Sequence, residues 1–194
     1  MGMTLNELVQ ETFSRYPDRD SLGWKVDGKY QFITYSELSA RVRQCALGLQ
    51  SLGVERGDRV GLLSENRWEW AVTDLAILSL AAVNVPMFPT LPPAQVKYVL
   101  EDSSAKAIVV SNKEQLRKIA EIKGSLEKLE HVIVLESAAT EGLAKAISFG
   151  DMMDRGAQIE GGESDRFDAT WRDVKEDDLA SIRALIRQTA QFAP

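Results

Sequence analysis

The sequence contains only one cysteine and one histidine, and these scarcities exclude several kinds of chemistry. A single cysteine, Cys45, cannot close an internal disulfide, so nothing indicates an oxidising compartment. Cys45 falls on an apolar helical stripe and is predicted to be buried. A zinc site built from histidine and cysteine needs more such ligands than the chain holds. His131 begins a predicted strand with no nucleophile motif beside it, so we expect a strand-edge residue rather than a triad base.

Long apolar runs and clustered positive charge are also missing. No stretch approaches the ~20 apolar residues that a membrane span requires, and the N-terminus lacks the charged-then-apolar pattern of a signal peptide. The formal net charge is −6, and the basic residues are scattered among acids, which disfavours a nucleic-acid partner. We therefore expect a cytoplasmic protein without a transmembrane segment, and peripheral membrane association is left open.

Phosphate-binding and nucleophile motifs are absent from the 194 residues. No Gly-x-x-x-x-Gly-Lys-Ser/Thr run and no Gly-x-Ser-x-Gly elbow occurs, and the glycines of "RGDRVG" precede a strand instead of following one. The neighbouring acids Glu101-Asp102 and Asp177-Asp178 are interpreted as solvated groups and not as acid–base pairs. The residues alone predict a domain without a self-contained active site.

Helix and strand signals alternate along the chain. Thr4 and Thr34, each followed three residues later by glutamate, predict capping boxes at the start of two helices. Between these helices the alternating run "LGWKVDGKYQFITY" predicts a hairpin that turns at Asp27-Gly28. Further strands are predicted at residues 59–63 and in the runs "VNVPMFPT", "AKAIVVS" and "HVIVLE", with helices between them.

Three local predictions concern the ends and loops of these elements. Asn66 is expected to cap the helix that begins "RWEWAV", and "EGGESDRFDATW" is expected to be an exposed loop. The run "DDLASI", near residue 180, is typical of the beginning of a buried strand. Strands that alternate with helices, after an initial helix and hairpin, predict an α/β fold with a mostly parallel sheet flanked by helices.

One long region resembles a known enzyme family. The run "GVERGDRVGLLSENRWEWAVTDLAILSLAAVNVPMFPTLPPAQVKYVLEDSSAKAIVVS" is similar to the N-terminal region of the adenylate-forming enzymes, the AMP-forming acyl-CoA synthetases. The wording "LSENRWEWAVTDLAIL" followed by "VPMFPT" is most similar to long-chain fatty acid–CoA ligases. The resemblance covers roughly residues 4–182 and implies a partial N-terminal subdomain of the adenylate-forming fold. Ala82 and Ser104 stand where the family usually has glycine.

The resemblance implies an activity whose known motifs are not all within these residues. Members of the family use ATP and Mg²⁺ to convert a carboxylic acid into an acyl-adenylate, and then transfer the acyl group to coenzyme A. The family's phosphate loop, its downstream adenylation motifs and its C-terminal catalytic lysine have no counterpart here, so no catalytic residue and no metal ligand is assigned. We expect residues 1–182 to be an incomplete subdomain that is inactive alone and binds none of these cofactors. Residues 183–194 are expected to be a tail that does not match the family.

The implied subdomain is a scaffold that contributes walls to the acyl and coenzyme A channels. The run "VPMFPT", at the end of a strand, is the expected channel-facing stretch, and Trp68 is a further candidate. The alternative, that these residues serve core or interdomain packing, stays open. The candidate site residues are Trp68, Val85, Pro86, Met87, Phe88, Pro89 and Thr90.

Two interpretations of the chain's role follow. The first is a truncated long-chain fatty acid–CoA ligase, whose partner is the missing C-terminal half or a second copy bound through an exposed apolar face. The alternative is a non-catalytic binding or interaction module on the same scaffold, or one half of a split enzyme that needs a partner chain.

Overall fold

The structure is a computed structural model, and it describes residues 3–136, 146–162 and 165–183. The described residues form a two-stranded hairpin, a five-stranded sheet and the helices that cover the sheet. In chain order the elements are α1 (Leu5–Arg15), β1 (Asp20–Val26), β2 (Lys29–Thr34), α2 (Tyr35–Ser51), β3 (Arg59–Leu63), α3 (Trp68–Ser79), β4 (Val83–Met87), α4 (Pro93–Asp102), β5 (Ala107–Val110), α5 (Lys113–Ile122), a 3₁₀ turn (Lys123–Ser125), β6 (His131–Val134), β7 (Ala146–Ser148), α6 (Phe149–Gly162) and α7 (Asp165–Arg172).

The local signals of the N-terminal third are confirmed. Thr4 and Thr34 each cap a helix through the side-chain hydroxyl, which accepts a hydrogen bond from the backbone amide three residues later. The hairpin turns at Asp27 and Gly28, whose φ angles are 48° and 81°. Positive φ at both central residues is what a tight hairpin turn demands. Sequence-local hydrogen bonds and turn geometry thus define these elements.

The five-stranded sheet has the order β4-β3-β5-β6-β7, and every neighbouring pair is parallel. An α/β fold with a parallel sheet is therefore confirmed. Beyond β4, the segment of the run "DDLASI" adds a single parallel bridge between Ser181 and Asn84. The amide of Asn84 donates to the carbonyl of Ala180 at 3.0 Å, and the amide of Ile182 donates to the carbonyl of Asn84 at 2.9 Å. The prediction of a buried strand here is wrong: the described part of the run makes a single bridge at the edge of the sheet, where Leu179 is 56% exposed and Ser181 is exposed.

The sheet separates two apolar cores. On one face, side chains of β3, β5 and β6 pack against α2, α3 and α6, and Cys45 is fully buried there as expected. On the other face, side chains of β4, β5 and β6 pack against α4 and α5. Helix α3 is rich in apolar residues because it packs in the first of these cores. No helix in the described ranges is long and apolar enough to cross a membrane.

Helices α2 and α6 cross at two glycines. A Cβ atom added at Gly156 of α6 would lie 1.8 Å from the carbonyl oxygen of Gln44 and 2.9 Å from the amide nitrogen of Gly48. A Cβ atom added at Gly48 of α2 would lie 2.4 Å from the carbonyl oxygen of Met152. The backbones of the two helices therefore touch, and only hydrogen fits at these positions.

Two further local predictions are wrong. The residue at the N-terminal cap of α3 is Arg67, not Asn66, and no side-chain hydrogen bond caps this helix. The run expected to be an exposed loop contains the end of α6 and all of α7 except its last residue, Arg172. The reason is tertiary: Phe167 of α7 is 2% exposed, and the guanidinium of Arg43 lies 4.8 Å above its ring. Arg43 also forms a 3.2 Å ion pair with Asp168.

Two non-glycine residues that follow helices adopt the left-handed conformation. Ser104 has a φ angle of 50°, in agreement with the family preference for glycine there. The second position is Ala81, with a φ of 51°, and not the expected neighbour Ala82. Alanine has a Cβ atom that crowds the following carbonyl in this conformation, so the backbone is strained at Ala81.

We expect Ala81→Gly to raise the free energy of unfolding by about 1 kcal/mol, because glycine removes this strain. Ala82→Gly is the matched control, since Ala82 is equally buried but does not have positive φ. It should lower stability, because glycine adds freedom to the unfolded chain without relieving strain. Urea unfolding measures both variants, and a destabilised Ala81→Gly would contradict the strain argument.

Candidate functional site

The carboxyl ends of the parallel strands define the candidate site. Ligands of open parallel sheets bind outside these ends, where connections from neighbouring strands leave in opposite directions. Here α3 connects β3 to β4 on one face, and α4 leads from β4 across to β5 on the other face. The switch in direction therefore lies between β3 and β5, and the residues that follow these two strands line it.

Arg67 links three strands at this edge. Its Nε and Nη2 atoms donate to the two carboxylate oxygens of Glu69, at 2.8 Å and 2.7 Å. Its Nη1 atom lies 3.4 Å from a carboxylate oxygen of Glu136, which follows β6, and 3.5 Å from the carbonyl oxygen of Ser111, which follows β5. The hydrogen bonds to Glu69 raise the pKa of Arg67, which stays charged. Arg67 thus holds together the segments that follow β3, β5 and β6, and carboxylates compensate its charge. We call this set of contacts the Arg67 clamp.

The N-terminus of α5 at the same edge is already satisfied by its own chain. The Asn112 side-chain oxygen accepts hydrogen bonds from the amides of Glu114 and Gln115, at 3.0 Å and 3.1 Å. The Asn112 side-chain amide lies 3.4 Å from the carboxylate of Glu65. These amides are occupied by Asn112, so this helix end offers no free cradle for a phosphate.

The first half of the run "VPMFPT" belongs to the core. Val85 and Met87 of β4 are buried against α4 and α5. Pro86 between them is half-buried. The backbone N–H and C=O groups of Asn84 point to the outer edge of the sheet, where they bond to Ala180 and Ile182. Backbone groups two residues apart in a strand point the same way, so the backbone nitrogen of Pro86 also points to the outer edge. Proline in a strand is accepted at such an edge because it has no N–H to donate.

The second half of the run reaches the surface at the end of β4. Phe88 is 67% exposed, and Thr90 is exposed as well. Pro89 between them is fixed from α5, since the Nζ atom of Lys118 donates to its carbonyl oxygen at 2.6 Å. An exposed aromatic ring on an anchored loop at the carboxyl end of a strand can line a channel for an apolar chain.

Trp68 lies elsewhere. Its ring packs against Trp24 of the hairpin and Phe149 of α6, with centroid distances of 5.8 Å and 6.3 Å. The guanidinium of Arg41 lies 4.6 Å above the same ring. This aromatic cluster is on the face of the sheet opposite the core that contains Val85. The structure therefore does not bring Trp68 together with the "VPMFPT" run.

Sequence reasoning missed the Arg67 clamp. The available signal was a basic residue shortly after β3 with a glutamate two residues later, but Ser111 and Glu136 follow two other strands and no local pattern indicates them. Among the residues that the structure describes, no three His, Cys, Asp or Glu side chains are grouped so that they could hold a metal ion.

Comparison with known proteins agrees with this fold. The model of the AMP-binding enzyme family matches residues 9–182, so the chain belongs to the AMP-binding enzymes. The long-chain-fatty-acid–CoA ligases FadD15 of Mycobacterium bovis and Mycobacterium tuberculosis are 36% identical to it over 129 residues. That alignment covers 66% of this chain and 22% of each relative. The resemblance inferred from the sequence is thus confirmed.

Solved structures show the same architecture. A putative long-chain-fatty-acid CoA ligase from Rhodopseudomonas palustris has a TM-score of 0.67 at 25% identity, over 77% of this chain and 36% of its own. The long-chain-fatty-acid–CoA ligase FadD1 of Archaeoglobus fulgidus has a TM-score of 0.73 at 19% identity and shows the shared fold over 93% of this chain and 34% of its own. The chain spans about a third or less of these proteins.

Proposed function

We propose that this chain supplies the N-terminal subdomain of an AMP-forming long-chain fatty acid–CoA ligase in the cytoplasm. The observation that carries the proposal is the 36% identity to FadD15 ligases over 129 residues. The assembled enzyme activates a fatty acid with ATP to an acyl-adenylate and transfers the acyl group to coenzyme A. ATP, Mg²⁺ and coenzyme A are ligands of that assembly. Residues 1–182 form the incomplete subdomain and residues 183–194 a separate tail, of which 184–194 lie outside the described residues.

Within this enzyme the described residues act as scaffold and channel wall. Phe88 and Thr90 form the wall, because they are exposed at the carboxyl end of β4 while Val85 and Met87 anchor the strand in the core. The Lys118 hydrogen bond to Pro89 keeps the loop in place. Trp68 supports the opposite face through its aromatic cluster.

An exposed apolar face supports a partner that completes the enzyme. A groove of about 360 Å³ lies between the beginning of α1, the end of α3 and residues 174–180. Met3 and Leu5 on one wall and Leu179 on the other are each more than half exposed. Apolar surface that is contiguous and rimmed by charge marks an interaction site. We assign this face to the remainder of the ligase.

ATP–pyrophosphate exchange tests the proposal. We expect no exchange from the 194-residue chain alone with palmitate or acetate. Adding the remaining part of a related long-chain ligase in trans should restore exchange with palmitate above that with acetate. Exchange by the chain alone would contradict the proposal.

A second candidate function is a non-catalytic interaction module, which the same apolar face favours. In that case the chain binds the remainder of the ligase, or forms a dimer, without restoring exchange. Size-exclusion chromatography of the mixture measures binding separately from activity. Complex formation without exchange would favour the module, and exchange on complex formation would favour the split or truncated ligase.

A further inference from the structure

The outer edge of the sheet is joined to helix α3 through one side chain. Asn84 of β4 is 2% exposed, and its side-chain amide nitrogen lies 2.5 Å from a carboxyl oxygen of Asp74 on α3. The backbone of Asn84 holds the edge segment, residues 180–182, through its hydrogen bonds to Ala180 and Ile182. A change at the Asp74 carboxyl therefore acts on the edge segment through a single residue.

The contact between Asn84 and Asp74 lacks one donor. The side-chain oxygen of Asn84 is buried, and no donor among the described residues bonds to it. A buried acceptor without a partner lowers the stability of the folded chain. A carboxyl group that carries a proton has one donor and one acceptor, as an amide side chain does, so the two groups are complementary. A proton on Asp74 supplies the donor that Asn84 lacks.

No cation compensates a charge on Asp74. The residue is half-buried and forms no ion pair within the described part of the chain. Helix α3 packs against α1, α2, α7, β1 and β4, and no titratable side chain of these elements or of residues 173–183 acts on the Asp74 carboxyl. Burial raises the pKa of Asp74 more than the hydrogen bond from Asn84 lowers it. Asp74 therefore binds its proton more tightly than an exposed aspartate does.

We propose that Asp74 binds a proton in the folded chain and donates it to the side-chain oxygen of Asn84, and that this pair, the Asp74–Asn84 latch, holds the edge segment in a pH-dependent way. When Asp74 ionises, its proton passes to water, and the Asn84 oxygen then faces only acceptors. The edge segment is held less firmly in that state. Leu179, which precedes this segment, lines the apolar groove, so the groove also depends on pH. The latch belongs to the chain itself and does not rest on ligase activity.

Urea unfolding as a function of pH tests the sign of this effect. A carboxyl whose pKa is raised by folding stabilises the folded chain below its unfolded pKa, and this contribution is lost as the pH rises through the folded pKa. The stability of the unchanged chain relative to Asp74→Asn should therefore fall as the pH rises, because asparagine keeps a donor beside Asn84 at every pH. A relative stability that is constant or rises with pH would overturn the proposal, since an ionised Asp74 that only accepts from Asn84 gives the opposite sign.

Infrared difference spectra measure the proton on Asp74 directly. The spectrum of the unchanged chain minus that of Asp74→Asn should contain the carbonyl band of a protonated carboxyl group. Asp177→Asn is the matched control, because Asp177 is an exposed acid shortly before the edge segment. The Asp74 band should disappear at a higher pH than the Asp177 band. Disappearance of the Asp74 band at the same or a lower pH contradicts the proposal.

Amide exchange in the unchanged chain measures the latch without any variant. The Ile182 amide donates to Asn84, and the Ser111 amide, which donates to Leu63 within the sheet, is the reference. Protection of Ile182 relative to Ser111 should fall about 10-fold as Asp74 ionises, because one buried acceptor is then left unpaired. In Asp74→Asn the ratio should not change with pH. If both amides of the unchanged chain show the same pH dependence, the latch does not exist, whether or not Asp74→Asn folds.

Discussion

Gly156→Ala is expected to lower the free energy of unfolding by about 3 kcal/mol or more. The added methyl group would lie 1.8 Å from the carbonyl oxygen of Gln44, which is backbone and cannot rotate away. Helices α2 and α6 would have to separate, and their separation would loosen the apolar core beneath them. Thermal unfolding followed by circular dichroism should show a Tm lower by roughly 6–12 °C.

Gly161→Ala is the matched control for this prediction. Gly161 lies in the same helix, and a Cβ atom added there meets no atom within 4 Å. Alanine is the better helix former, so this variant should be as stable as the unchanged chain or slightly more stable. If both variants unfold at the same temperature, the close crossing of α2 and α6 is not present in solution.

The second large effect is expected at Phe167. Phe167→Ala should lower the free energy of unfolding by about 3–5 kcal/mol, because the ring is 2% exposed and its removal leaves a cavity. Arg43 would also lose the ring beneath its guanidinium. Urea unfolding measures the loss, and an amide-exchange experiment should locate increased opening in α7.

Phe88→Ala is the control that separates packing from function. The Phe88 ring is 67% exposed, so its removal should leave the free energy of unfolding nearly unchanged. In an assembled ligase the same change should reduce exchange with palmitate more than with acetate, because the longer chain uses more of the channel wall. Strong destabilisation by Phe88→Ala would show that the ring belongs to the core.

Elements that depend on neighbouring residues could be predicted from the sequence. The capping boxes at Thr4 and Thr34 need partners only three residues away, and the hairpin needs only its turn and its alternating pattern. The parallel sheet followed from apolar strands that alternate with helices. These features are encoded within short windows, and a single sequence is sufficient to see them.

Elements that depend on distant partners could not be predicted. Helix α7 is mostly polar and follows two glycines, and what supports it is contact with Arg43, about 125 positions away in the chain. The Arg67 clamp joins groups that follow three different strands. The candidate site was predicted as the run from Val85 to Thr90 together with Trp68, but Val85 and Met87 are buried, Phe88 and Thr90 are exposed, and Trp68 packs on the opposite face of the sheet.

Pro86 has a consequence for how the sheet behaves at its outer edge. A free strand edge is a template on which other chains can add and aggregate. Among the residues that the structure describes, the ladder beyond β4 contains hydrogen bonds at Asn84 only, and the next outward position, Pro86, has no N–H to offer. A foreign strand that approaches this edge finds it occupied at Ser181 and interrupted at Pro86. The proline thereby protects the outer edge of the sheet from edge-to-edge association.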